Sequence, residues 1–261
     1  MDVLLELSVP LAIVLWGRWY YSLWRGRTLR AAHHGLMAFA LVPVFCMILL
    51  FAVLRGWSAE SVKSHLPTAV LFLFLGASWL RLLQLSFGLF GVSVRDDVLE
   101  RGNLSAAWVI SGQLVGATFC FAGANVGNGP DPEVVVLCAL LSTVSLFLLW
   151  FLMDRIASAA DTITIDRHLG TGIRLFGWFV ATGIVLGDAV SGDWKSTSST
   201  VRDFAVCAWP AAVFAFLTAF LERRLRTRGE DDPWNSPPRS TLLAGVYVVC
   251  AAGYAWKRGI H

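Results

Sequence analysis

RGNLSAAWVISGQLVGATFCFAGANVGNGP, residues 101–130, opens on a charged turn and closes on one rich in Gly and Pro. Between those ends, Leu104 to Gly127 is 24 residues long and carries no charge. About 20 residues rising 1.5 Å each cross the hydrocarbon of a bilayer, so the stretch is long enough to span one. Its side chains are unusual for a lipid-facing helix, because Gly, Ala and Ser predominate around a single amide, Gln113. Helices inside a bilayer gain little from hydrophobicity against one another, and small side chains let their backbones approach. Gly112 and Gly116, four residues apart, fall on one helix face. The stretch therefore reads as an inner helix of a membrane bundle.

The rest of the chain fits that reading. Of 261 residues, 56% are hydrophobic and only 15% charged, where a soluble domain carries about a quarter charged. The mean hydropathy is +0.64, and the apolar residues form long runs. Eight spans follow: Val3–Tyr21, Leu36–Leu54, Leu66–Phe90, Leu104–Gly127, Val134–Met153, Leu169–Val190, Phe204–Leu221 and Ser240–Trp256. The expected fold is an all-α polytopic transmembrane helix bundle of about eight spans. Residues 66–195 form a duplicated four-span core, 1–65 a two-span N-terminal extension and 196–261 a two-span C-terminal one.

Lys and Arg in the loops set orientation. Thirteen of the 21 fall in loops after the first, third, fifth and seventh spans, and six in the alternate loops and the C-terminal tail. This bias places both termini outside. The N-terminus, MDVLLELSVP, lacks the basic start of a signal peptide, so the first span reads as retained. Trp16, Trp19, Trp24, Trp57, Trp150, Trp194 and Trp256 fall near the expected interfaces, as an aromatic belt would.

A shift of 65 residues lays NLSAAWVISGQLVGA (103–117) on HLGTGIRLFGWFVAT (168–182). Asn103 then meets His168, Ala107 meets Gly172, Gly112 meets Gly177 and Gly116 meets Ala181. An acidic loop precedes each copy, and Gly183 and Gly187 repeat the four-residue glycine spacing. Each unit holds two spans, so the copies would run parallel, unlike inverted transporter repeats. This pattern resembles the YjfL-type bacterial inner-membrane proteins, a domain family of unknown function with four spans in two such repeats. The resemblance covers residues 66–195. It rests on Glu100, Gly102, Asn103, Ala106, Ala107, Gly112 and Gly116, and less closely on His168, Gly172, Gly177 and Gly187. It implies an inner-membrane location and no mechanism. His168 stands where the family's second copy has Asn, and the four outer spans lie beyond the family pattern.

Among candidate functional residues, Arg81 stands out. Ten residues from the end of its span, it costs about 2.5–3.5 kcal/mol to insert. Gln84 is one turn away and Gln113 is expected at similar depth on the next, antiparallel span. Two readings stand: a polar cluster lining an ion or solute path, or a structural hydrogen-bonded knot. Arg174, nearer the end of its span, reads as a snorkelling anchor. Asp188, with Asn125, Asn128 and Asp131, reads as solvated turn residues, the alternative being an external cation vestibule. The acidic loops (Asp96, Asp97, Glu100; Asp154, Asp161, Asp166) are solvated, with docking of a basic partner or a divalent cation as the alternative.

Enzyme motifs are absent: there is no HExxH, phosphate loop or nucleophile elbow. His33-His34 lack a third metal ligand, and the five cysteines lie in separate apolar runs without metal spacing. No cofactor or metal is expected. Net charge of +3 is too small to suggest nucleic acid. The reading is a non-enzymatic membrane component. Its partners are the lipid bilayer, a cytoplasmic protein at the acidic loops, and a second copy of the chain through the glycine faces. The alternative is an ion channel or small-solute transporter with Arg81, Gln84 and Gln113 near the path.

Overall fold

The structure, a computed structural model, describes residues 3–29, 34–128, 131–228 and 232–258. Ten α-helices run through them: α1 (Val3–Leu29), α2 (His34–Gly56), α3 (Glu60–Lys63), α4 (Leu66–Ser86), α5 (Leu104–Gly123), α6 (Pro132–Ala157), α7 (Ala159–Thr164), α8 (Leu169–Val190), α9 (Thr197–Arg228) and α10 (Pro237–Arg258). Between them lie 3-10 turns at Phe87–Phe90 and Pro233–Asn235 and a π-helical turn at Val94–Glu100. The described residues form no named strand; a lone bridge pairs Ser58 with Val126. The fold is an all-α bundle in which six helices are long and apolar enough to cross a membrane: α2, α4 with its 3-10 extension, α5, α6, α8 and α9. The other two expected spans lie in α1 and α10, which are 27 and 22 residues long.

The helices reach beyond the expected spans. α9 was expected to leave the membrane at Leu221 but continues as helix to Arg228, which places Glu222 on a helix face instead of in a loop. Conversely, α4 stops at Ser86 and tightens to a 3-10 turn. Gly91, at φ +90°, ends that turn in a conformation glycine adopts without penalty.

Helices α2, α5, α8 and α10 stand side by side in one row and run parallel. Leu50 and Phe121 both meet Gly76, while earlier in each helix Phe39 and Phe45 line one apolar hollow with Leu104 and Trp108. Along α5 and α8 the contacts advance together, with Ser105 against Gly172, Gly112 against Phe176, Gly116 against Phe179 and Gly183, and Gly123 against Gly187. Along α8 and α10, Gly177 meets Ala244, and Asp188 meets Arg258. The centre of the row is the core. Of the apolar windows of α5 and α8, 83% is buried, against 28% for α2 and α9. The outer helices turn apolar stripes outward, such as Leu140, Val144, Leu148 and Phe151 on α6. Large exposed apolar faces of this kind suit lipid.

Local geometry recurs at an offset of 65 residues. Asn103 and His168 each cap a helix, the side chain accepting from Ala106 N and Thr171 N respectively. Their own N–H groups donate to Asp97 O (3.0 Å) and Thr162 O (3.1 Å). The preceding residues, Gly102 and Arg167, have φ of 63° and 55°. At the other end Gly127 and Gly192 have φ of 113° and 125°.

The tryptophans divide. Trp24, Trp57 and Trp256 are exposed, as a belt requires, but Trp19 and Trp150 are buried in the core. Trp150 donates to Phe90 O at 3.2 Å, so its place is set by an internal partner.

Candidate functional site

Arg81 lies five residues before the end of α4 and nine before the end of the apolar span Leu66–Phe90. It is 9% exposed. Its Nη1 donates to Gln84 Oε1, its Nε donates to Leu15 O on α1 at 3.3 Å, and its Cζ lies 6.0 Å from the Trp16 ring centroid. No carboxylate among the described residues comes within salt-bridge distance of it. Beside it is a half-open cavity of about 750 Å³ bounded by α1, α4 and the 93–100 turn. Arg25, Arg81, Gln84, Arg95 and Glu100 supply its charged and amide lining, and Trp19 and Leu85 part of its apolar wall. On the far side of Arg81 the two helices are stitched shut. Trp16 Nε1 donates to Ala77 O at 2.8 Å, and Ser78 Oγ to Ser8 O at 2.8 Å.

Gln113 does not join this cluster by any hydrogen bond. It is 1% exposed, and neither its Oε1 nor its Nε2 has a partner. α4 meets α5 through Gly76 and Trp79 against Phe121, eight residues past Gln113, so on these antiparallel helices Gln113 lies within about a turn of Arg81 in depth, and the two side chains share no hydrogen bond.

Arg174 is no snorkelling anchor. It is fully buried and grips Glu222 of α9 with two prongs, Nε to Oε1 at 2.6 Å and Nη2 to Oε2 at 2.7 Å. Nη1 also donates to Ser240 Oγ at 2.8 Å and Trp234 O at 3.3 Å, and Nη2 to Thr171 Oγ1 at 3.1 Å. Four segments are thereby tied together. The reason is the continuation of α9: had the helix stopped at Leu221, Glu222 would have been solvated. Asp188 also departs from the solvated-turn reading, being buried and paired with Arg258 at 2.9 Å. Asn125 is buried and donates to Phe121 O at 2.7 Å, while Asn128 N donates to Asp193 Oδ1 at 2.7 Å.

The sequence holds a signal for Glu222 that the span assignment obscured. Ala211, Ala215, Thr218, Glu222 and Leu225 follow helical spacing, and all are buried. A stripe of small residues that ends on an acid points the acid inward.

The glycines of the two aligned stretches face neighbouring helices within the chain. A Cβ on Gly112 would come within 2.6 Å of Phe176 Cα, and one on Gly172 within 2.6 Å of Ser105 Oγ. Gly116 and Gly183 face each other's helices, Gly187 faces Phe119, and Gly177 faces Ala244. These faces are therefore unavailable to a second copy of the chain, since the close approach they permit is already made between α5, α8 and α10.

The acidic loops are less uniform than their composition. Asp97 is buried, accepting from Ser93 N at 2.8 Å and Arg101 Nη1 at 3.2 Å, and Asp154 accepts from Ala160 N at 2.7 Å. Both hold their turns closed. Glu100 is exposed and pairs with Arg95 at 3.2 Å; Asp96, Asp161 and Asp166 are also exposed. Asn103 adds a second bond to its cap, Nδ2 donating to Ile163 O at 2.7 Å, which links the two loops. His33 lies outside the described residues, as does the side chain of His34.

Residues 61–190, about half of the chain, match the family model of a domain of unknown function, DUF350. No curated protein and no solved structure matches the sequence.

Proposed function

We propose that the protein is a non-enzymatic multi-pass component of the bacterial inner membrane, with both termini outside. In this reading a duplicated four-span core of the YjfL type is a rigid scaffold that presents two linked loops to a cytoplasmic protein partner. The single observation that carries it is the α5–α8 seam, where backbone meets backbone at Gly112, Gly116, Gly123, Gly183 and Gly187. A seam closed to that degree holds its loops in fixed relation and leaves no room for a path between α5 and α8. The duplication is supported by the cap, turn and hydrogen-bond geometry that recurs at 65 residues. Orientation rests on the Lys and Arg bias, and the docking role on Asp96, Glu100, Asp161 and Asp166, exposed in the two loops bridged by Asn103. The outward apolar stripes are left for lipid or for a second copy.

Photo-crosslinkers placed at Asp96 and Asp161 in native membranes test the docking role. The expected result is one discrete adduct obtained from both positions and lost with charge reversal at the other loop. Adducts to lipid only, or none, would overturn it.

A second reading, transport, draws on the cavity that reaches Arg81 and Gln84. It requires the α1–α4 interface beyond Arg81 to open, breaking the Trp16–Ala77 and Ser78–Ser8 bonds.

A further inference from the structure

We propose that the cavity between α1, α4 and the 93–100 turn is a binding site for a phosphate ester, held chiefly by Arg81. This goes beyond the scaffold reading and stands without it. Arg174 and Arg81 are both buried arginines on core-facing helices. Arg174 meets a two-pronged carboxylate, two hydroxyls and a carbonyl. Arg81 meets one amide oxygen and one carbonyl, both neutral, although a guanidinium has five N–H donors. Burying a cation without a counter-charge is costly, and here the missing partner coincides with an open space.

That space has the right chemistry for an anion. Its charged lining is three arginines (Arg25, Arg81, Arg95) against one glutamate, Glu100, which is engaged by Arg95 at 3.2 Å. Guanidinium forks match phosphate oxygens in pairs, which makes arginine the usual residue for this ligand. The wall also carries Trp19, whose buried indole N–H has no partner, and Leu85 and Leu99. A volume of about 750 Å³ exceeds what a bare phosphate fills, so the ligand carries an organic portion that lies against this apolar wall. The cavity lies where the apolar span Leu66–Phe90 gives way to the charged Val94–Glu100 turn, the level at which bilayer headgroups are expected. The same chemistry is therefore offered by an anionic phospholipid or by a soluble phosphate ester.

The test uses the full-length protein purified in an uncharged detergent. Thermal unfolding and native mass spectrometry are read with added phosphatidylglycerol, phosphatidylcholine or glycerol 3-phosphate, for wild type, Arg81→Gln, Arg81→Lys and Arg95→Gln. Saturable binding and a raised Tm are expected with phosphatidylglycerol or with glycerol 3-phosphate, and not with phosphatidylcholine. Binding should weaken at least tenfold in Arg81→Gln, less in Arg81→Lys, and severalfold in Arg95→Gln, whose exposed side chain is not needed for folding. Preference for the lipid identifies a headgroup site, and preference for the soluble ester a metabolite site. No binding by folded wild type, or equal binding by wild type and Arg95→Gln together with whichever Arg81 variant folds, would overturn the proposal.

Discussion

Arg174 and Glu222 form a two-pronged ion pair inside the bundle, at 2.6 and 2.7 Å, with every atom of the arginine fork engaged. The pair ties α8 to α9, and through Ser240 and Trp234 O to α10 and the turn before it. Removing one member of a buried pair strands the other charge and costs about 3–5 kcal/mol. Glu222→Ala is therefore expected to lower thermal stability in detergent by that order, and Arg174→Met/Glu222→Leu to recover most of the loss. A single variant as stable as wild type would show that the pair is not the tie described.

The glycine seam gives a sharper comparison, because the same substitution is expected to differ by position. At Gly112, Gly116 or Gly183 a Cβ collides with backbone of the partner helix, which cannot yield as a side-chain tip does. Overpacking of this kind costs about 1–3 kcal/mol. At Gly245 and Gly253 nothing lies within 4 Å of the added Cβ, and alanine there gains up to about 1 kcal/mol of helix propensity. Unfolding midpoints of the five alanine variants should fall into these two groups, and a uniform response would refute the seam.

Gln113 is fully buried with both amide atoms unpartnered. An unsatisfied buried polar group costs about 1–3 kcal/mol, so Gln113→Leu should leave stability unchanged or raise it. A marked drop in midpoint would reveal a partner for the amide and would return Gln113 to the candidate site.

Asn103 and His168 do the same capping work at offset positions, which makes their exchange informative. Asn103→Ala loses a cap worth about 0.5–2 kcal/mol together with the Nδ2 bond to Ile163 O. His168→Asn keeps a cap of the better residue type and should be tolerated. Destabilisation by His168→Asn equal to that by His168→Ala would mean that the imidazole has a role beyond capping.

Much of the bundle was legible in the sequence, and the residues show why. Uncharged runs located the helices, since hydrocarbon demands about 20 apolar residues in succession. The glycine spacing located the inner pair, since α5 and α8 are the two most enclosed spans. What sequence misplaced were charges at helix ends. Arg174 reads as a snorkelling anchor, Asp188 as a solvated turn residue, and Glu222 falls just past a span ending at Leu221, yet each turns inward to a partner from a segment distant in the chain. Pairings of that kind depend on which helices are neighbours, and no local pattern states that. For Arg81 the sequence supplied the residue and Gln84, one turn away, but not α1 or the cavity, which only the packing of α1 on α4 creates.

Ion flux in liposomes reconstituted with the purified protein decides whether the core is closed with its binding cavity at the side. Wild type and Arg81→Leu are expected to pass sodium, potassium and chloride no faster than protein-free vesicles, with circular dichroism showing both to be helical. Flux in wild type that changes in size or selectivity in Arg81→Leu would contradict a closed core and make the Arg81 cavity part of a conduction path.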